Sequence, residues 1–438
     1  MVNNVCFSRM INSLVVRCVL LALSLVFGFV VNAQAASDYE LAPINYSATK
    51  DDNAITRIQA DIDRGILSWA EAKPIELLRS LLDQLNIPVS SQVLVFSKTS
   101  LQHKIINPSN PRAIYFNDDF YVGYVPGGMI EVIACDDLTG MMFYSLNLNE
   151  VPERRRFLRD QECMTCHASR NTMDIPGLLV RSVFTNQEGQ ALLSWGSLLT
   201  TPASPIEQRW GGWYVSGNKA QVKHMGNQWV DNPEIDRDAY DELHNQYLPG
   251  LSGFFDTRKH LADSSDILAL MIMEHQIQVH NTLSAAKMRY LRAVYLDKAI
   301  HGDKISPSVD RMIADCVQSV LKALMFADEL RLPEDGVEGS DEYRDSFMRL
   351  GYRHDGHSLR DLRLEKRMFK YRCSYMIHSK SFEQLPDEIK IPVLTKLHAI
   401  VTDREPAVGL PLLSSREKER IHDILSHTHS AYQSVMLR

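Results

Sequence analysis

The stretch Arg112-Ala113-Ile114-Tyr115-Phe116-Asn117-Asp118-Asp119-Phe120-Tyr121-Val122-Gly123-Tyr124 holds two aromatic and β-branched runs separated by an Asn-Asp turn signal. Val93, Val95 and Phe96 open a strand upstream of it. Downstream, Ile130 to Ala134 and Met141 to Leu146 extend the pattern, with turns at Pro126-Gly127-Gly128 and Asp136-Asp137. Runs joined this closely predict an antiparallel β-meander. Ahead of the meander, Ile55, Ile58, Ile62, Leu67, Leu77, Leu78, Leu81 and Leu82 recur at three and four. Residues 53–86 therefore read as helical, with a break near Lys73-Pro74.

The meander ends just before Cys163-Met164-Thr165-Cys166-His167. Two thiols with two residues between them, then a histidine, form the attachment pattern of a c-type haem. Each thiol adds across one haem vinyl group, and the imidazole becomes the proximal iron ligand. The pattern occurs once, so one covalent haem c is expected on Cys163 and Cys166, with His167 on iron. A thioredoxin-type dithiol is the first rival, but Glu162 precedes Cys163 where an aromatic residue is usual. Zinc is the second, and no further CxxC or close His pair completes four ligands.

Haem of this type is attached outside the bacterial cytoplasm, and the N-terminus fits export. Arg9 and Arg17 precede or flank an apolar run from Val19 to Val31, and Ala33-Gln34-Ala35 offers a small-x-small cleavage site. Residues 1–35 are expected to leave as a signal peptide, placing the product in the periplasm. No later segment is apolar enough to predict a membrane span. Loss of the leader removes two arginines and no acids, taking the formal charge from −7 to −9. That balance argues against nucleic acid as a partner and suits docking on a positively charged redox protein. The cytochrome c maturation machinery is the other implied partner. Cys135, Cys316 and Cys373 remain, and buried free thiols are expected in preference to a disulfide framework.

Arg154, Arg155, Arg156 and Arg159 lead into the motif and predict a solvated helical turn, with a positive rim near haem propionates or a docking patch as the alternative. Leu178 to Phe184 and Ala191 to Leu199, joined by a turn at Asn186 to Gly189, predict a second hairpin. Beyond it the chain reads as helical. Ser264 or Ser265 can cap a long helix from Asp266 to about Ile300, and further helices are expected over 307–331, 340–350, 358–378, 384–402 and 414–436. The fold class is thus α+β: a β-rich N-terminal half flanking the haem motif, packed with a mainly α-helical C-terminal half. The divisions are 36–262 and 263–438, either as two regions or as one integrated domain.

The sixth iron ligand separates an electron carrier from an open site for small-molecule chemistry. Four residues are candidates: His224 and Met225, beside a glycine-aromatic segment, and His275 and His280 on the long helix. The two helical histidines are five apart, so they point roughly 140° from each other, and at most one reaches the iron. Arg209, Trp210, Trp213 and Tyr214 are candidates for propionate binding and ring packing, because guanidinium forks and indole N–H groups donate to carboxylates; the alternative is that the tryptophans fill a core between sheet and helices. Arg181 is a weaker candidate for the same role. His422, His427 and His429 read as a solvated helix end.

Several segments together carry a family likeness. These are the motif itself, Pro176-Gly177-Leu178-Leu179-Val180-Arg181-Ser182, Arg209-Trp210-Gly211-Gly212-Trp213-Tyr214-Val215-Ser216-Gly217 and His224-Met225-Gly226-Asn227. Val93 to Ser100, Arg112 to Asp118, Glu274-His275-Gln276 and His280-Asn281 add to it. The chain resembles large exported bacterial proteins with a single cytochrome-c-type haem motif. The resemblance implies haem binding and electron transfer and assigns no substrate. The leading expectation is a periplasmic monohaem protein that passes single electrons. The alternatives are a peroxidase-like haem enzyme, a haem-based sensor, and an accessory subunit of an electron-transfer complex.

Overall fold

A computed structural model describes residues 37–69, 71–136, 139–231, 248–302 and 305–437. The expected signal peptide lies outside them. The fold is α+β, built on a seven-stranded antiparallel sheet. Its strands are β1 (Val93–Val95), β2 (Arg112–Phe116), β3 (Phe120–Tyr124), β4 (Met129–Asp136), β5 (Gly140–Asn147), β6 (Phe157–Arg159) and, arriving later in the chain, β9 (Trp213–Tyr214). The order β6-β5-β4-β3-β2-β1-β9 is a meander extended by one returning strand. A separate two-stranded ribbon pairs β7 (Arg181–Val183) with β8 (Ser197–Leu199). It occupies the predicted second hairpin, with shorter strands.

Two helices precede the sheet: α1 (Ala54–Asp63) and α2 (Pro74–Gln84). Asn53 caps α1 by accepting from the Ile55 N–H, and its amide donates to the Tyr144 hydroxyl at 2.7 Å, which ties α1 to one face of the sheet. After the short α3 (Met164–His167) comes the 35-residue α4 (Ile267–His301). The rest is mostly helical: α5 (Pro307–Leu324), α6 (Asp341–Arg349), α7 (Lys380–Glu383), α8 (Asp387–Val401), α9 (Ser415–Thr428) and α10 (Ser430–Met436). Buried side chains from the sheet and from these helices form one continuous core. No helix among the described residues is long and apolar enough to cross a membrane.

The structure corrects four local expectations. The arginine-rich stretch is not a helical turn before the motif. Pro152–Arg154 makes a single 3-10 turn, and Phe157–Arg159 then pairs with β5 as the edge strand, satisfying an otherwise open row of backbone groups. Arg159 donates to the Thr49 carbonyl at 2.7 Å, and Arg156 pairs with Asp63 at 2.8 Å. The cap of α4 is Asp266, whose carboxylate accepts from Leu268 and Ala269. Ser265 donates to the Tyr214 carbonyl instead. Residues 358–378 hold no long helix. Leu364 and Lys366 adopt positive φ, Leu362 bridges Phe369, and only Tyr375–His378 makes a helical turn. Finally, His429 is buried, 1% exposed, with Nε2 against the Ile377 carbonyl.

Candidate functional site

The sheet has one face that encloses space. Cross-strand partners share a face, so Trp213, Val95 and Arg112 fall on the same side as Ile114, Gly123 and Glu131, and as Tyr121, Ile133 and Phe143. All nine line a cavity of about 390 Å³, a size typical of small-molecule and cofactor sites. The other walls are the CxxCH turn, residues 178–181, Met273 and Ile277 of α4, and the loop from Ser97 to Ile106.

The cavity runs along the strands between two differently covered ends. At the β2–β3 turn, Gln276 donates to the Asn117 carbonyl and the Tyr121 hydroxyl, and His280 contacts the Asp118 carbonyl. That end belongs to α4. At the β3–β4 turn, Gln102 accepts from the Met129 N–H at 2.7 Å and donates to the Met129 carbonyl. That end belongs to the 97–106 loop. Strand β3 separates them by five residues at about 3.4 Å each.

Cys163, Cys166 and His167 all line this cavity. Asp160 caps the 3-10 turn Gln161–Cys163 by accepting from the Glu162 N–H, and α3 continues the turn through His167. This winding brings the two thiols and the imidazole to one wall. Burial pushes the Cys163 thiol up to about 12, aided by Asp160 and Glu131. His167 packs 4.9 Å from the Phe143 ring. Its Nδ1 lies 2.8 Å from the Gly177 carbonyl, and the Gly177 N–H donates back to the His167 carbonyl at 2.8 Å. A carbonyl only accepts, so Nδ1 carries the proton and Nε2 keeps its lone pair. Burial holds the imidazole below its ordinary pKa.

The Gly177 carbonyl is itself held in place. Asn281 of α4 accepts from the Leu178 N–H at 2.9 Å and donates to the Leu178 carbonyl at 2.7 Å. A Cβ at position 177 would lie 2.6 Å from the Asn281 Oδ1, so a larger residue there would displace the Asn281 side chain from the Leu178 N–H. Support of an imidazole Nδ1–H by an anchored carbonyl is the arrangement that orients a metal-binding histidine.

On the cavity floor Arg112 lies flat across Gly123 and pairs with Glu131. A Cβ at Gly123 would be 2.6 Å from the guanidinium. Arg181 lines the cavity, and its carbonyl accepts from the Trp213 indole at 2.8 Å. His103 lines it at the mouth, with Nδ1 at 3.3 Å from the Ser100 carbonyl.

Of the propionate and packing candidates, Trp213 and Arg181 reach the cavity, and Arg209 and Trp210 do not. Arg209 is buried on Glu274 at 2.7 Å and donates to the Ser204 and Pro202 carbonyls. The Trp210 indole donates to the other Glu274 oxygen at 2.7 Å. Burial raises the Glu274 pKa against the pull of Arg209.

The four distal candidates also lie off the cavity wall. His280 Nε2 donates to the Asp118 carbonyl and its Nδ1 accepts from Ser381 at 2.9 Å, leaving no lone pair. His275 bonds Ser374 at 2.7 Å and stacks on Phe326 at 4.4 Å. His224 Nδ1 accepts from the Gly226 N–H, which places its proton on Nε2. Met225 takes a contact from the Ser182 hydroxyl at 3.8 Å, and its methyl abuts Gly211.

His103, Arg112, Glu131, Gly177, Met273 and Asn281 were not singled out from sequence as site residues. The clearest available signal was a charge at Arg112 and at Glu131 in the alternation of two otherwise apolar strand faces. Comparison of the chain with protein-family models, with curated proteins and with solved structures returns no match.

Proposed function

We propose that the chain is an exported c-type haem protein that passes single electrons. One observation carries the reading: the two thiols of the CxxCH turn and the Nε2-accepting tautomer of His167 share the wall of one cavity. When bound, the haem supplies the one-electron iron couple. The chain's own residues do the rest. Cys163 and Cys166 would tether the haem, each thiol adding its sulfur to one carbon of a vinyl group and its hydrogen to the other. His167 would hold the iron through Nε2, kept in orientation by Gly177 and Asn281. Ile114, Ile133, Phe143, Leu178 and Trp213 exclude water from the ring, and Arg181 is placed to take a propionate.

The test is direct. The full chain, produced with c-type maturation, should keep haem through boiling in detergent and stain for it on a denaturing gel. The Cys163→Ala/Cys166→Ala variant should lose that stain. Haem that survives denaturation in the double variant sinks the reading. A second reading, small-molecule chemistry at an open iron, rests on the Arg112–Glu131 pair in the cavity floor. Rapid carbon monoxide binding to the reduced protein would favour it.

A further inference from the structure

We propose that His103 is the second axial ligand of the iron, so that the site is a bis-histidine centre. This rests on the haem reading above and deepens it. Among the described cavity-lining residues there are two imidazoles, His167 and His103. Both have Nδ1 against a backbone carbonyl: Gly177 at 2.8 Å for His167 and Ser100 at 3.3 Å for His103. Each therefore carries its proton on Nδ1 and presents a lone pair at Nε2.

Their placement is complementary. The carbonyl that holds His167 is clamped by Asn281, on α4, at the β2–β3 end of the cavity. The two nitrogens of an imidazole point to opposite sides of the ring, so Nε2 of His167 faces away from that carbonyl. The opposite end of the cavity is the 97–106 loop, anchored by Gln102 on Met129 and carrying His103. Met273 is the thioether among the described residues of the wall, and it sits on α4, the helix that bears the Nδ1 support. His103 is exposed, on a loop, so it has room to swing onto a bound iron. The four histidine and methionine candidates named from sequence are engaged elsewhere.

The experiment uses the haem-loaded full chain and reads its absorption and electron paramagnetic resonance spectra. The wild type should be six-coordinate and low-spin in both oxidation states, with carbon monoxide binding slowly or not at all. His103→Ala should turn high-spin and bind carbon monoxide rapidly, and added imidazole should restore the low-spin spectrum. His103→Met should bring a thioether-to-iron charge-transfer band that the wild type lacks. Met273→Ala should leave the wild-type spectrum unchanged. A low-spin spectrum that survives His103→Ala overturns the assignment, as does a high-spin wild type or a loss of low-spin character in Met273→Ala. Absence of covalent haem from the wild type overturns the underlying reading, and is told apart because it shows on the stained gel before any spectrum is taken.

Discussion

At the scale of single residues, His167 and Asn281 matter most to the site. The pentapeptide marks His167 as the expected ligand, because residue type and spacing are all that the haem-attachment pattern requires. The partner that sets its tautomer was not legible. Gly177 is close in sequence, but nothing local shows that its carbonyl turns toward the imidazole. Asn281, which holds that turn, is more than 100 residues away. Asn281→Ala leaves the Leu178 N–H and carbonyl without partners in a buried place. It should cost on the order of 2 kcal/mol in urea unfolding and lower the yield of covalent haem relative to wild type.

At the scale of elements, the strands and helices followed the periodicities from which they were expected, wherever a local pattern was sufficient. β3 matches its expected limits, and β2, β4 and β5 do so within two residues. The misses are segments whose conformation is set by a neighbour. Phe157–Arg159 is a strand because β5 offers an open edge. Residues 358–374 avoid helix because buried side chains fasten a loop, with Arg360 stacked 4.2 Å from the Tyr375 ring. Helix α4 starts at Asp266, which also accepts from the Ser340 N–H at 2.6 Å. Asp266→Ala removes the cap and that contact together. A loss of about 1–2 kcal/mol, read from chemical denaturation, is expected from the cap alone.

At the scale of the whole molecule, one core joins the sheet to the helical half, and it holds several neutral histidines. Burial depresses His275 to about 3, and His224 and His280 to about 4. An unfolded histidine titrates near 6.5, so between that pH and the folded values the unfolded chain binds more protons. Stability should therefore be intact above about pH 6.5 and fall as pH drops toward 4, by roughly 1.4 kcal/mol per pH unit for each such histidine. Thermal melts at a series of pH values should show this decline. A melting temperature that is flat from pH 7 to 4 would contradict the buried, neutral assignment.

The amino-acid sequence by itself determined the meander, the helical C-terminal half and the pentapeptide, because each is written in near neighbours. The tertiary structure alone decided what faces the cavity. His275, His280 and Arg209 are ligand-type residues in apolar surroundings, which made them candidates. Their partners, Ser374, Ser381 and Glu274, come from 65 to 101 residues away and turn them into core hydrogen-bonding groups. His103 looks ordinary in sequence, and Arg112 and Glu131 stand out only as charges on otherwise apolar strand faces. They reach the site because strand register puts two of them on one sheet face and the 97–106 loop folds back over its end. Hydrogen-bonding demand in the core, rather than residue type, sorted the ligand candidates.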